Sequence, residues 1–218
     1  MINPSSDTIR ENYDRLAEEY ARHVYDELAH KPADRALLDS FAAATKGRGA
    51  ICDLGCGPGH VARYLHDAGA DVFGLDLSPQ MLMQARRLNP QLRFVQGDMT
   101  ALPLADAGLA GVTAFYAIVN LPPETLPRVF SEMARVLQPD GLALLAFHVG
   151  DEKLDVKEIW GQAITMNFHL LDPAKISAGL VEAGLQIENI FTRDPYAPDV
   201  EFQSRRAYIT ARKPPQPS

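Results

Sequence analysis

Asp53-Leu-Gly-Cys-Gly-Pro-Gly59 is the most informative segment of this 218-residue chain. The apolar residues 50–54 predict a strand that stops at the glycines, and residues 60–68 predict a helix that begins directly after them. Glycine permits a positive φ and lets the backbone approach a ligand closely, and a helix start presents unpaired N–H groups. The segment therefore predicts a nucleotide-binding turn between a strand and a helix.

The rest of the chain repeats this alternation of short apolar runs and amphipathic stretches. Strands are predicted at residues 50–54, 71–76, 92–96, 111–116 and 142–148, with a final pair at 185–192 and 203–212. Helices are predicted at residues 60–68, 78–88, 124–137 and 172–184, with Ser78 and Asp172 as N-caps and a turn at 139–141. Such alternation is typical of an α/β fold with a parallel sheet and crossover helices.

We expect a single domain over residues 1–218, because a chain of this length can bury one substantial core. Its predicted parts are N-terminal lid helices at residues 7–45, a cofactor-binding core at 46–148, an insertion at 149–171, and a C-terminal helix with two strands at 172–212. The insertion is too long for an ordinary connection, and long loops tend to be functional, so we expect it to shape the substrate pocket. The tail at residues 213–218 is expected to fray.

The composition argues against several classes of protein. A formal net charge of −7 disfavours a general binder of nucleic acid or membrane surfaces, because phosphate recognition depends on Lys and Arg. Residues 1–7 lack the basic and apolar regions of a signal peptide, and no run of about 18 apolar residues predicts a membrane span.

Cys52 and Cys56 leave a disulfide open, although two free thiols and no bound metal are the preferred interpretation. We expect a cytoplasmic protein.

Acidic residues near the glycine turn narrow the kind of nucleotide that it binds. Asp76 ends the second predicted strand, where a carboxylate accepts the hydroxyl protons of a ribose. The third glycine of the turn comes one residue sooner than in the dinucleotide pattern G-x-G-x-x-G. Asp53 flanks the turn and Asp98 follows the third strand, so the surroundings suit a sulfonium, an ammonium and an adenosine better than phosphates.

These segments together resemble the motifs of class I S-adenosylmethionine-dependent methyltransferases. Residues 53–59 resemble the first motif of that family, Gly-Leu-Asp-Leu-Ser at 74–78 the second, and Gln-Gly-Asp-Met at 96–99 the third. Residues 130–145 are similar to the family's helix, turn and fifth strand. The resemblance implies a Rossmann-like three-layer sandwich with N-terminal lid helices. Its seven-stranded, mostly parallel sheet would have the order 3-2-1-4-5-7-6, with strand 7 antiparallel.

The resemblance also implies a role for each matching position. Asp53 and the backbone of the turn would hold the methionine part of S-adenosylmethionine, and Asp76 would bind the ribose hydroxyls. Leu77 would pack on the adenine, Asp98 would accept from its amino group, and Met99 would lie near its ring nitrogen. The full set expected at the cofactor is Asp53, Gly55, Cys56, Gly57, Gly59, Asp76, Leu77, Asp98, Met99, Tyr116 and Tyr20. Cys56 is given no chemical role.

Two histidines are candidates for a catalytic base. His148 ends the fifth predicted strand, at the sheet edge where ligands bind in doubly wound folds. His169 lies in the insertion among apolar residues. A hydroxyl acceptor would need such a base, whereas an amine or a thiolate would need only alignment. A structural role remains the alternative for each histidine.

Five further residues are candidates for the substrate pocket: Tyr13, Asn120, Trp160, Met166 and Phe168. The alternative for the aromatic residues and Met166 is an ordinary place in the core. Asn120-Leu-Pro-Pro123 differs from the Asn-Pro-Pro-aromatic motif of enzymes that methylate amino groups of nucleic acid bases, and a loop before a helix is the preferred interpretation.

The expected function is S-adenosylmethionine-dependent, in-line methyl transfer to N, O, S or C of a small molecule. The alternatives are an RNA or protein methyltransferase and a non-catalytic protein that binds S-adenosylmethionine or another nucleotide. We expect no nucleic acid or membrane partner and a monomer or a homodimer, in which the apolar insertion is a possible contact surface.

Overall fold

A seven-stranded mixed sheet organises the computed structural model, which describes residues 6–215. Its strands are β1 (Ile51–Leu54), β2 (Val72–Asp76), β3 (Arg93–Gln96), β4 (Leu109–Phe115), β5 (Leu137–His148), β8 (Gln186–Arg193) and β9 (Arg206–Arg212). The order is β3-β2-β1-β4-β5-β9-β8, and β9 runs antiparallel to both of its neighbours. Strands β8 and β9 are the sixth and seventh strands of this sheet in chain order. The predicted order 3-2-1-4-5-7-6, with an antiparallel seventh strand, is therefore confirmed.

Helices cover both faces of this sheet. They are α1 (Ser6–Val24), α2 (Pro32–Thr45), α3 (His60–Asp67), α4 (Pro79–Leu88), α5 (Leu126–Val136) and α6 (Pro173–Glu182). Alternate residues of β5 show the two faces: Leu145 packs in the core that contains α5 and α6, and Leu144 packs in the core that contains α2, α3 and α4. Because successive side chains of a strand point to opposite faces, the fold is the three-layer sandwich that was predicted.

The predicted caps define where two helices begin. Ser78 Oγ accepts a hydrogen bond from Met81 N at 3.0 Å, and Asp172 Oδ1 accepts one from Ala174 N at 2.9 Å. In each case a proline follows the cap directly and carries no N–H that would need a partner. Sequence and structure agree here because a cap is a local feature.

Residues 149–171 form a hairpin, which the sequence interpretation treated only as an insertion. Strand β6 (Lys153–Ile159) pairs antiparallel with β7 (Gln162–His169). The turn between them places Trp160 and Gly161 at φ values of 49° and 78°. Two successive positive φ values are typical of the tight turns that join twisted strands. The hairpin packs on α1, where Leu16 contacts its inner residues Ile164 and Met166.

One predicted turn lies inside a strand. Residues 139–141 continue β5, and Asp140 takes a φ of 63° there. Its N–H donates to the carbonyl of Lys213 at 2.9 Å, so the chain keeps its hydrogen bonding to the neighbouring segment while it bends. Helix α5 begins at Leu126 rather than at Glu124, because residues 123–125 form a short 3₁₀ turn.

Both cysteines are buried and free, as the preferred interpretation predicted. Within residues 6–215, no helix combines the length and apolar character needed to cross a bilayer. The same residues hold no cluster of three or more His, Cys, Asp or Glu side chains suited to a metal ion. Residues 1–5 and 216–218, which include half of the tail expected to fray, lie outside the described residues.

Candidate functional site

The carboxyl ends of β1, β2 and β4 and the inner side of α1 enclose a cavity that we call the glycine-turn cavity. Ten residues predicted for the cofactor or the substrate line it: Tyr13, Tyr20, Gly55, Gly57, Asp76, Leu77, Asp98, Met99, Tyr116 and Asn120. The backbone at Ala117, beside Tyr116, was also expected at the methionine end, and Ala117 lines the cavity. Sequence reasoning gave no role to six others: Ser6, Ile9, Leu75, Met81, Gly97 and Leu121. Leu75 and Gly97 lie inside the second and third motifs, and the other four belong to no motif.

The glycine turn requires glycine because its backbone takes positive φ values and because two of its positions have no room for a Cβ. Gly55, Gly57 and Gly59 all have positive φ, at 66°, 51° and 81°. A Cβ on Gly55 would lie 2.5 Å from the Cβ of Ala117, whereas a Cβ on Gly57 would meet only the Tyr20 ring, at 3.7 Å. The space above Gly57 is therefore open for a ligand to lie against its backbone. Gly59 faces away from the cavity, because its Cβ would meet the Phe94 ring at 2.8 Å.

Asp76 is the central acidic group of the cavity. Its Oδ2 accepts from Gly57 N and its Oδ1 from Ser78 N, both at 2.8 Å. These bonds tie the end of β2 to the glycine turn and orient the carboxylate. Burial raises the pKa of Asp76 to about 6 in spite of those two bonds.

Asp98 and Met99 follow β3 and complete the far end of the cavity. Asp98 Oδ1 accepts from the N–H and the hydroxyl of Thr100, at 2.8 and 2.7 Å. This local turn fixes the carboxylate at the cavity wall. Asp98 thus closes a local turn and caps no helix of the described residues, and it lines the cavity.

Asp53 and Cys56 lie behind the glycine turn and do not line the cavity, in contrast to the prediction. Asp53 Oδ1 accepts from the Thr113 hydroxyl at 2.7 Å, while its buried Oδ2 has no hydrogen-bond partner. Burial raises the pKa of Asp53 to about 6. The Cys56 thiol packs against Gly74, where an added Cβ would lie 2.6 Å from Sγ. A motif position does not specify which way its side chain points.

Helix α1 forms the roof of the glycine-turn cavity. The Tyr13 and Tyr20 rings meet edge to face at 5.9 Å, and Tyr20 meets Trp160 of the hairpin at 5.8 Å. Burial raises the pKa of both tyrosines, so the two phenols stay protonated. The cavity holds about 80 Å³ beneath this roof. Sites for drug-sized ligands span about 300–1,000 Å³, so the cavity in this structure is smaller than a nucleoside-sized ligand needs.

Asn120 faces the same cavity from the 3₁₀ turn Ile118–Asn120, which follows β4. Its Oδ1 is buried and has no hydrogen-bond partner among the described residues. The 3₁₀ turn Pro123–Thr125 then leads into α5, as expected for a loop before a helix. An unpaired buried acceptor in a cavity wall is suited to a ligand N–H or O–H group.

A polar cavity adjoins the first, and an apolar cavity adjoins the polar one. The polar cavity, of about 240 Å³, is lined by Tyr20, His23, Val24, Glu27, Lys31, Tyr116, His148, Trp160, Val200, Glu201, Phe202 and Arg206. The apolar cavity, of about 420 Å³, is lined by His148, Leu154, Val156, Ile159, Trp160, Phe168, His169, Leu170 and Phe202. Tyr20 and Tyr116 also line the glycine-turn cavity, so the three cavities follow one another through shared walls.

The predicted catalytic histidines meet in the apolar cavity and not beside the glycine turn. His148 reaches closer to the turn, because its ring lies 5.2 Å from the Tyr116 ring. Its Nδ1 is 2.8 Å from Ser204 Oγ. Burial, with the positive charges of Arg206 and Lys31, lowers the pKa of His148 to about 3, so its imidazole is neutral near pH 7. Burial also lowers the pKa of His169.

Three predicted substrate-pocket residues of the hairpin have different outcomes. Trp160 and Phe168 line the apolar cavity, as an apolar substrate wall would. Met166 is only 2% exposed and packs with Leu16 and Ile164 between α1 and the hairpin. The alternative that the sequence left open, an ordinary core residue, is therefore correct for Met166.

Sequence reasoning missed the buried charges of the polar cavity. Lys31 Nζ lies 2.7 Å from Glu27 and 3.8 Å from Glu201, and Arg206 lies 3.5 Å from Glu201. Only Arg206 had a signal in the sequence, because it lies in the predicted strand 203–212 directly before the largely apolar residues 207–209. The others come from separate segments that only the fold brings together.

Sequence comparison supports the resemblance. A family model described as a methyltransferase domain matches residues 51–141. The chain is 34% identical over 148 residues to a malonyl-acyl-carrier-protein O-methyltransferase of Enterobacter lignolyticus, covering 68% of this chain and 56% of that protein. It is 38% identical over 112 residues to a demethylmenaquinone methyltransferase of Beutenbergia cavernae, covering 51% of this chain and 45% of that protein. The chain thus spans about half the length of these relatives.

Structural comparison identifies the same fold. The 4+2 cyclase SpnF superposes with a TM-score of 0.75 at 17% identity, covering 98% of each chain. An S-adenosylmethionine-dependent methyltransferase of Methanosarcina mazei superposes with a TM-score of 0.69 at 15% identity, covering 77% of this chain and 93% of that chain. The family match over residues 51–141, together with the sequence motifs and the sheet order, supports a methyltransferase domain of the class I, S-adenosylmethionine-dependent type.

Proposed function

We propose that this protein binds S-adenosylmethionine in the glycine-turn cavity and transfers its methyl group to a small-molecule acceptor. The observation that carries the proposal is the 2.8 Å contact between Gly57 N and Asp76, at the wall of a cavity that Asp98 also lines. The cavity thus has accessible glycine backbone at one end, and the hydrogen-bonded carboxylates of Asp76 and Asp98 in the rest of its wall. It fits a ligand with a cationic amino acid part, a ribose and an adenine.

Each group of the cavity has a defined task in this proposal. Asp76 binds the ribose hydroxyls, Asp98 accepts from the adenine amino group, and Leu77 packs on the ring. The backbone at Gly55 and Gly57 holds the methionine part, with Tyr116 beside it. Asp53 acts from behind the turn, as a positioning residue that supports the strand end. Tyr20 and Tyr13 close the roof and exclude water.

S-adenosylmethionine supplies a methyl group activated by a sulfonium. A lone pair of the acceptor forms the bond to the methyl carbon while the carbon–sulfur bond breaks towards sulfur, and S-adenosylhomocysteine leaves. The protein contributes alignment and exclusion of water more than proton transfer. His148 is the better placed of the two histidines to receive a proton, because it lines the polar cavity that shares Tyr116 with the glycine-turn cavity.

The relatives support a small-molecule acceptor without specifying it. Two of them are named for methylation of malonyl-acyl-carrier protein and of demethylmenaquinone, and the net charge of −7 disfavours nucleic acid. Binding without methyl transfer is the second candidate, because the same fold, over almost the whole chain, also occurs in a protein named as a 4+2 cyclase and not as a methyltransferase.

The test is to incubate the protein with S-adenosylmethionine and a fractionated metabolite extract and to search for products by mass spectrometry. The proposal predicts S-adenosylhomocysteine together with a metabolite that has gained one CH₂. Binding of S-adenosylmethionine with no methylated product in any fraction would favour the second candidate.

A further inference from the structure

We propose that the methyl acceptor is an amphiphilic organic acid, with its carboxylate in the polar cavity at Arg206 and its apolar body in the apolar cavity. This inference rests on the proposed function, because it assigns the acceptor half of the same site. Four observations carry it: the sequence of cavities, the unpaired donor of Arg206, the existing partners of the nearby carboxylates, and the lining of the apolar cavity.

The order of the cavities fixes which end of the acceptor meets the methyl donor. The polar cavity shares Tyr20 and Tyr116 with the glycine-turn cavity. It shares His148, Trp160 and Phe202 with the apolar cavity. A ligand that spans the last two cavities therefore places its polar end towards the donor and its apolar end beneath the hairpin.

Arg206 has a hydrogen-bond donor that nothing in the described protein satisfies. The residue is 2% exposed, and its Nε is buried without a partner. Its terminal nitrogens donate to neutral oxygens, those of Ser204 and the Phe202 carbonyl. An unsatisfied buried N–H is unfavourable, and a hydrogen bond from a guanidinium to a carboxylate is stronger than one to a neutral acceptor. A carboxylate is thus the ligand group that best completes this site.

The two carboxylates near Arg206 already have other cationic partners. Glu201 accepts from both terminal nitrogens of Arg193 and from Tyr196 N. Glu27 is 2.7 Å from Lys31 and 3.2 Å from His60, and these groups lower the pKa of Glu27 to about 2 despite its burial. Arg206 approaches Glu201 only to 3.5 Å. A carboxylate ligand therefore does not have to displace a close ion pair.

The lining of the apolar cavity indicates the chemical nature of the acceptor's body. Seven of its nine lining residues are apolar or aromatic, and its two histidines have lowered pKa values. A cavity of about 420 Å³ with such a lining favours a hydrocarbon body over a charged one. A carboxylate also needs no deprotonation before it is methylated, which agrees with the weak basicity of His148.

The single tryptophan of the chain, Trp160, lines both cavities and reports on them by fluorescence. Decanoate, decanol and decylamine, each below its micelle concentration, are titrated into the full chain without S-adenosylmethionine. We expect decanoate to bind roughly tenfold or more tightly than the other two, since a paired charge adds at least one charged hydrogen bond. Equal binding of decanol, or tighter binding of decylamine, would overturn the assignment of the carboxylate.

Three variants test the two halves separately. R206Q is expected to remove the preference for decanoate over decanol, whereas R205Q, at a neighbouring residue with a 59% exposed side chain, is expected to retain it. V156F narrows the apolar cavity and is expected to weaken both probes alike. An intact preference in R206Q would contradict the role of Arg206. The wild-type series remains decisive even if R206Q fails to fold.

These titrations are independent of the methyl donor. Selective decanoate binding in a protein that shows no affinity for S-adenosylmethionine would refute the proposed function and leave the acid-binding site in place. Binding of S-adenosylmethionine without selectivity for decanoate would refute only this inference.

Discussion

At the scale of single residues, the site holds two carboxylates in surroundings that disfavour their charge. Asp53 and Asp76 are 2% and 9% exposed, and burial raises both pKa values to about 6. Asp76 has two N–H donors, whereas one oxygen of Asp53 has none. The two buried charges lower the free energy of unfolding of the free protein. A cationic ligand would compensate for these charges, so its binding would raise that free energy.

Asp53→Asn tests how much stability the buried charge of Asp53 removes. The folded pKa of about 6 lies above the ordinary 3.8, so the stability associated with Asp53 is full below pH 4 and is lost as the pH rises through 6. We expect the variant to be more stable than the wild type by about 1–3 kcal/mol at pH 7, with the difference vanishing below pH 4. Urea unfolding at several pH values measures it. Asp71→Asn, at an exposed residue before β2, is the control.

A variant less stable than the wild type at pH 7 would contradict this account of Asp53.

At the scale of elements, α1 and the β6–β7 hairpin act as one roof. Asn12 joins them, because its Nδ2 donates to the Thr165 carbonyl at 2.9 Å and its Oδ1 accepts from Thr165 N at 3.0 Å. Helices and strands of the sheet were predictable from local apolar patterns. The hairpin was not, although Leu154 and Val156 alternate with charged residues, because its partner is a helix about 150 positions away and no local pattern encodes that contact.

Asn12→Ala should loosen this roof. Loss of these two partly buried hydrogen bonds is expected to cost about 1–3 kcal/mol of local stability. Hydrogen exchange followed by mass spectrometry should show faster exchange in residues 6–24 and 153–169 and unchanged exchange in β4. Arg15→Ala, an exposed change in the same helix, should leave all three regions unchanged. Unaltered exchange in α1 and the hairpin of the Asn12 variant would refute the proposed link.

At the scale of the whole molecule, a buried charge network joins α2 to the far edge of the sheet. Arg193 at the end of β8 bonds both Asp34 of α2 and Glu201 of the β8–β9 connection, and Tyr208 donates to Asp34 at 2.9 Å. This network holds the polar cavity in shape, since Glu201 lines it. None of it was predictable from sequence, because its members lie up to 174 positions apart. Even the order of the strands was available only through the family resemblance.

Arg193→Met should therefore destabilise the protein far more than an exposed change of the same kind. The substitution leaves Asp34 and Glu201, which are 0% and 2% exposed at their side chains, without their shared cation. Removing one partner of a buried pair costs about 3–5 kcal/mol. Urea unfolding at pH 7 should show this loss, whereas Arg205→Met, with a 59% exposed side chain, should unfold like the wild type. Similar unfolding midpoints for the two variants would contradict a structural role for the network.

Isothermal titration calorimetry measures whether the glycine turn and Asp76 bind S-adenosylmethionine. We expect one molecule of S-adenosylmethionine bound per chain, no detectable binding of NAD, and affinity reduced roughly tenfold or more in Asp76→Ala but unchanged in Asp71→Ala. Absence of S-adenosylmethionine binding to folded wild-type protein, or equal affinity in the Asp76 variant and the wild type, would contradict this assignment of the site.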